Sequence, residues 1–169
     1  MRPDISIVIV NWKAKDFLKK CLKSIFDYQN DYQVEVFVVD NDSQDGSVEM
    51  LKEKFPQVKL IQNEKNSGYC GGNNVGIKNA NGEFIIILNP DTIVESNLID
   101  KLLGAYNIHG EGLYQPKILS LEDKTILQST GNMIHVFGFG FARDKGNQDN
   151  NEIKETTKIG YAAGTCLFA

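Results

Sequence analysis

Only three cysteines, four prolines, one tryptophan and two histidines occur in the 169 residues. Cys21, Cys70 and Cys166 are odd in number, widely spaced and free of any CxxC pair. That excludes a disulfide framework and a zinc site as working hypotheses and fits a reducing compartment. All three read as structural or incidental thiols. His109 and His135 stand in unlike contexts, and no Ser-His-Asp or Cys-His spacing offers a hydrolytic nucleophile. No stretch approaches the roughly 18 apolar residues of a membrane span. The apolar run in MRPDISIVIVNW is too short for a signal peptide and is preceded by Asp4. Dense basic clusters are missing too. With 18 basic against 22 acidic side chains the formal charge is −4, which argues against a general nucleic-acid binder. The expected location is the cytoplasm, with peripheral association at the inner face of the cell membrane left open.

What remains is ordinary globular composition, 41% hydrophobic and 24% charged. A chain of this length buries about 70% of its unfolded surface, enough for one core without metal or cystine support. Residues 5–10 (ISIVIV), 34–39 (VEVFVV) and 84–88 (FIIIL) are almost continuous, largely β-branched apolar runs, the pattern of parallel strands covered on both faces. A thinner strand is expected at 58–61. Between them lie helical stripes: 16–28 with Asp16 as N-cap, 47–55 stopped by Pro56, a weak helix over 72–80, and one through Leu98, Leu102 and Tyr106. Strands alternating with helices predict an α/β fold with a mostly parallel, Rossmann-like sheet.

From Gly112 the character changes. Short strands are expected at 113–119, 125–128 and 133–137, a mobile glycine-rich and polar loop over 138–158, and a strand at 162–168. The chain stops at Ala169 inside an apolar element, which reads as a C-terminal truncation of something longer. The expected organisation is a single domain, with 1–110 as a ligand-binding half and 111–169 as the start of a second half.

In open parallel sheets ligands bind beyond the carboxyl ends of the strands. The polar clusters there are Asn11-Trp12, Asp40-Asn41-Asp42-Ser43, residues 63–74 and Asn89-Pro90-Asp91-Thr92. Asp40 can accept bonds from a base imide or a ribose hydroxyl, or simply cap an Asx-turn. Trp12 can stack on a base or pack as a rim residue. Residues 66–76 hold four glycines and three asparagines in eleven positions. They form either a cradle whose amides approach an anion or a flexible loop, and match neither GxGxxG nor GxxxxGK[ST]. Asp91 can hold one divalent cation between phosphates, or cap the helix that follows.

Taken together, ISIVIVNW, VFVVDNDSQDGS, NEKNSGYCGGNNVGI and FIIILNPDTIV, in that order over residues 5–94, resemble the inverting family-2 glycosyltransferases. The likeness is to the rhamnosyltransferase-like branch that builds bacterial surface polysaccharides. The resemblance implies the GT-A fold, a nucleotide-diphosphate sugar donor (UDP- or dTDP-linked), a glycan or lipid-linked acceptor, Mg²⁺ or Mn²⁺, and inversion at the anomeric carbon. By position, Asn11 and Trp12 would line the base pocket and Asp40 would read the base or ribose. Asn66, Gly68, Asn73 and Asn74 would shape the donor loop. Asp91 matches the last acid of the family's metal-binding Asp-x-Asp, with Asn89 where the first acid often stands.

The implied reaction is a single displacement by an acceptor hydroxyl, with a general base taking its proton. That base is expected beyond Ala169, so it is assigned to no residue; Asp149, Glu152 and Glu155 precede the expected position. A noncatalytic nucleotide-sugar-binding module of the same fold is the alternative. A nucleotidyltransferase ranks last, because Asn11-Trp12-Lys13 is not a basic, glycine-rich loop.

Overall fold

A computed structural model describes residues 2–28, 31–150 and 155–169. The chain forms two compact units that divide between Ser96 and Asn97.

The first unit alternates strand and helix: β1 (Ile5–Asn11), α1 (Lys15–Phe26), β2 (Val34–Asp40), α2 (Ser47–Lys54), β3 (Lys59–Gln62), α3 (Gly68–Asn79) and β4 (Phe84–Leu88). Its strands lie in the order β3-β2-β1-β4, and every pairing among them is parallel. Parallel strands need crossovers, which the helices supply. Ile5, Val8, Ile9, Val38 and Val39 are wholly buried, as near-continuous apolar runs between two covered faces require.

The α1 stripe buries Leu18, Cys21, Leu22 and Ile25. Its N-cap is Ala14, not Asp16, which sits in the first helical turn where an acid favours the helix dipole instead. Stacked rings of Phe26 and Phe55, 6.1 Å apart, join the ends of α1 and α2.

Helix α3 departs furthest from expectation, starting at Gly68 rather than Gly72. Glycine is a poor helix former, so intrinsic preference does not explain it. Packing does. A Cβ on Gly72 would lie 2.7 Å from Val10 Cγ1, and one on Gly76 would lie 2.3 Å from Val8 Cγ1. The helix backbone rests directly on the sheet face carrying Val8 and Val10, a distance that no side chain permits.

At the amino end of the sheet a buried polar knot replaces apolar packing. Ser6 Oγ donates to Glu35 (2.5 Å), the Asn81 amide donates to the same carboxylate (2.7 Å), and Lys59 Nζ reaches its other oxygen (2.6 Å). Burial pushes the Glu35 carboxyl up, but these donors outweigh it and hold it below the usual 4.5.

The second unit holds α4 (Leu98–His109) and short strands β5 (Ile118–Leu119), β6 (Leu127–Ser129), β7 (Asn132–Ile134), β8 (Gly140–Ala142) and β9 (Cys166–Phe168). β5 pairs antiparallel with β6, and β7 with β8. The expected strand over 113–119 shrinks to two residues, with Tyr114 bridging to Phe168 instead. Part of the stretch read as loop is ordered: Gly140–Ala142 completes a hairpin with Asn132–Ile134, because register pairing satisfies backbone groups that local composition does not reveal. Among the described residues no helix is long and apolar enough to cross a membrane.

Candidate functional site

The reversal of strand order falls at β1. The chain steps from β1 outward to β2 and β3, then returns to place β4 on the other side of β1. In such sheets the crevice beyond the carboxyl ends at the reversal is the natural ligand site. Asn11, Asp40 and Gln62 are register partners there, and Leu88 pairs with Ile9. Three adjacent strands therefore end at one level, and β4 ends two residues short of it, so that Asn89 to Asp91 continue past its tip.

Asn11 and Asp40 touch. Asn11 Nδ2 donates to Asp40 Oδ1 (2.7 Å) and to Ser43 Oγ (2.9 Å), while the Ser43 amide donates to Asp40 Oδ2 (3.0 Å). Both carboxylate oxygens are thus used inside the protein, and each keeps a second lone pair. Asn11 is fully buried and supports Asp40 from the adjacent strand; its Oδ1 has no partner. The Asx-turn and the binding role proposed for Asp40 are therefore compatible.

A second layer of amides was not picked out residue by residue in the sequence. Asn41 is 1% exposed. Its Oδ1 accepts from Asn63 Nδ2 (2.7 Å) and Ser67 Oγ (3.1 Å), and its Nδ2 donates to the Gly68 carbonyl (3.1 Å). This hub ties the end of β2 to the start of α3. The signal available was its place directly after Asp40, in a run where every side chain can hydrogen-bond.

Asn66 Oδ1 accepts the Gly68 amide (2.8 Å), satisfying one of the donors a helix start leaves open. Asn73 is buried inside α3, where its Nδ2 donates to the Tyr69 carbonyl (3.0 Å) and its Oδ1 has no partner. Asn74 is exposed on the same helix.

Trp12 is 51% exposed, with Lys13 Nζ 5.3 Å from its ring centroid. It is not a core residue. Lys13, Asp42 and Gln44 have φ of 53°, 58° and 51°. Left-handed conformations of non-glycine residues are costly and cluster at functional loops. Here Ser43 Oγ accepts the Lys13 amide (3.1 Å), locking one loop to the other. Asp45 secures α2 to α1: it accepts the amides of Ser47 (3.0 Å) and Lys15 (3.0 Å) and the Ser47 hydroxyl. Burial raises the Asp45 carboxyl, and these bonds bring it below the ordinary range.

An open pocket of about 210 Å³ lies at the ends of β2 and β3, lined by Asp40, Ser43, Gln44, Glu49, Gln62 and Asn63 among others. Its hydrogen-bonding, acidic wall suits a neutral polar group and repels phosphate. Asp91 is not in that wall. It is exposed on the turn after β4, next to Thr92, whose Oγ1 donates to the Asn89 carbonyl (2.8 Å). Among the described residues no three His, Cys, Asp or Glu side chains gather into an all-protein metal cage. Of the acids in the second unit, Asp149 pairs with Lys117, Glu155 is exposed, and Glu152 lies outside the described residues.

The model of the family described as "Glycosyl transferase family 2" matches residues 6–168. The chain belongs to that family. This family-2 chain is 29% identical over 133 residues to the low-salt glycan biosynthesis hexosyltransferase Agl10 of Haloferax volcanii, covering 76% of itself and 41% of Agl10. It is 33% identical over 103 residues to glycosyltransferase GlyG of Streptococcus pneumoniae, 58% of this chain and 33% of GlyG. The chain thus spans less than half the length of these curated relatives.

Among solved structures, S. aureus TarS 1-349 in complex with UDP-GlcNAc superposes with a TM-score of 0.65 at 21% identity, over 76% of this chain and 39% of that one. The Pyrobaculum calidifontis mannosyltransferase PcManGT, in complex with GDP-Man and Mn²⁺, gives 0.60 at 20% identity, over 73% and 37%. Likeness at such identities shows fold, and the fold is GT-A, as the resemblance implied.

Proposed function

We propose that the first unit holds the nucleotide-diphosphate sugar donor of a family-2 transferase that inverts the anomeric carbon, in the rhamnosyltransferase-like branch. The acceptor is a glycan or a lipid-linked molecule. The observation that carries this reading is the in-register Asn11–Asp40 pair at the strand-order reversal, bonded at 2.7 Å beside a polar pocket.

The roles divide by charge. The acidic wall around Asp40 takes the nucleoside, through hydrogen bonds to base or ribose, with Trp12 as a stacking surface. Asn66, Gly68, Asn73 and Asn74 shape the loop and the start of α3, whose positive end suits the diphosphate and sugar. Residues 1–110 form the donor side and 111–169 begin the acceptor side.

The donors present fit Mg²⁺ or Mn²⁺. Asp91 offers an exposed carboxylate, and Mg²⁺ takes one or two carboxylates together with phosphate oxygens and water. Asp91 would hold the ion, which when bound offsets charge on the departing diphosphate. The PcManGT complex with GDP-Man and Mn²⁺ supports the same reading.

The test is calorimetry with uridine, UDP, UDP-GlcNAc and a dTDP-sugar, each with and without Mn²⁺. UDP should gain at least about tenfold in affinity from Mn²⁺, or 1.4 kcal/mol. Asp91→Ala should remove that gain and leave uridine binding unchanged. Equal losses for uridine and UDP would refute the metal role. Sugar turnover with an acceptor separates an enzyme from a binding module of the same fold.

A further inference from the structure

The residue expected to face the diphosphate, Asp91, sits on a turn that is held from behind by one face of α1. Ser24 and Cys21 are three residues apart on that helix and both are buried. Ser24 Oγ accepts the Val94 amide (2.9 Å) and donates to the Cys21 carbonyl (2.7 Å), so its hydroxyl is used in both directions. Cys21 Sγ lies 3.8 Å from the Asn89 carbonyl and 3.6 Å from Thr92 Oγ1. Thr92 Oγ1 in turn closes onto the Asn89 carbonyl at 2.8 Å. Two buried side chains therefore grip the segment at residues 89, 92 and 94, on both sides of Asp91, while Asp91 itself stays exposed.

We propose that Ser24 and Cys21 form a clamp that sets where the Asp91 carboxylate stands, and so act as positioning residues for the diphosphate end of the donor. The inference rests on the donor-site reading above and adds residues that lie on α1, away from the strand tips. Its physical basis is that a carboxylate serving as the main protein ligand of a cation must be held by its supports, because a sparse shell offers few other anchors. A short turn with a proline supplies stiffness but not location. The location comes from α1, which is itself fixed by Leu18, Leu22 and Ile25 in the core. The Cys21 thiol is suited to this position as a small, soft group with a weak donor. Burial pushes it up to about 11, so it stays a neutral thiol beside the acid.

The experiment compares wild type, Ser24→Ala, Ser24→Thr, Cys21→Ala and Asp91→Ala, all as the full chain. Binding of uridine and of UDP is measured with and without Mn²⁺, and exchange of the Val94 amide with solvent is followed in the absence of ligand. Ser24→Ala should speed Val94 exchange and weaken Mn²⁺-dependent UDP binding about three- to tenfold, the equivalent of one hydrogen bond, with uridine unchanged. Ser24→Thr keeps the hydroxyl and should restore both readouts; Cys21→Ala should lower UDP binding in the same selective way.

Faster Val94 exchange with unchanged UDP binding would overturn the clamp, because the turn would then be loosened without consequence. Parallel loss of uridine and UDP affinity would also overturn it, as a general structural effect. If Asp91→Ala abolishes the Mn²⁺ gain but neither Ser24→Ala nor Cys21→Ala touches it, the clamp fails and the donor-site reading stands. If Asp91→Ala has no effect, the clamp falls together with the metal role of Asp91, and the donor reading at Asn11 and Asp40 is judged by uridine binding alone.

Discussion

Replacing Gly76 by Ala tests whether α3 is held by contact rather than by helix preference. In an isolated helix this change would stabilise by about 1 kcal/mol. Here the added Cβ would stand 2.3 Å from Val8 Cγ1 and 3.3 Å from Val39 Cγ2. Both valines are 0% exposed, so neither can swing into solvent to make room. Overpacking of this kind costs typically about 1–3 kcal/mol, and two immobile neighbours place the site at the upper end. Subtracting the propensity gain leaves a net loss of about 1–2 kcal/mol. At this chain size each 1 kcal/mol moves Tm by roughly 2–4 °C, so a fall of about 2–8 °C is expected in thermal unfolding. Val8→Ala alone should cost about 2 kcal/mol by removing buried methyl groups. Combined with Gly76→Ala it should cost less than the sum by at least about 1 kcal/mol, since the new methyl enters the space vacated. A Gly76→Ala protein as stable as wild type, or strict additivity in the double mutant, would refute the close-packing account of α3.

Three further outcomes follow from named contacts. Because the Glu35 carboxyl titrates below 4.5 in the folded protein, its stabilising contribution is complete above the unfolded-state value and is lost as pH falls through the lowered one. Glu35→Gln should therefore flatten the acid limb of a stability–pH curve and cost about 1–3 kcal/mol at neutral pH, read by urea unfolding. An unchanged acid limb would show that the knot around Ser6 and Lys59 is not the source. Asp40→Asn should destabilise by a similar amount, about 1–3 kcal/mol. Its amide meets Asn11 Nδ2 or the Ser43 amide donor against donor, and a flip of Asn11 that relieves the first clash takes Asn11 Nδ2 away from its present acceptors in the buried site. Iodoacetamide on the native protein should label Cys70, which is exposed, and spare buried Cys21 and Cys166, as peptide mass mapping would show. Equal labelling of all three would contradict the burial of the other two.

The strands were readable because fully covered parallel strands write themselves as nearly continuous apolar runs rich in β-branched residues. ISIVIV, VEVFVV and FIIIL each became a strand within a residue of the expected ends. Asn11 and Asp40 were readable for the same reason, since each terminates such a run and a parallel register must bring the ends level. The glycine-asparagine stretch could be singled out, yet its helix could not start at Gly68 on propensity. That start depends on Asn66 and Asn41, which bind the Gly68 amide and carbonyl, and the seat of the helix depends on Val8 and Val10, over sixty residues earlier, meeting the bare backbone of Gly76 and Gly72.

Residue order thus determined the α/β alternation, the level at which the polar strand ends meet and the family signature. Only the folded chain decided what each polar residue does when it arrives there. It buried Asn11 beside Asp40, made Asn41 a hub for three other residues, left Trp12 half in solvent and set Ser24 against Val94. Those assignments depend on distances between segments far apart in the chain, and local pattern carries side-chain chemistry but not the meeting of two such segments in space.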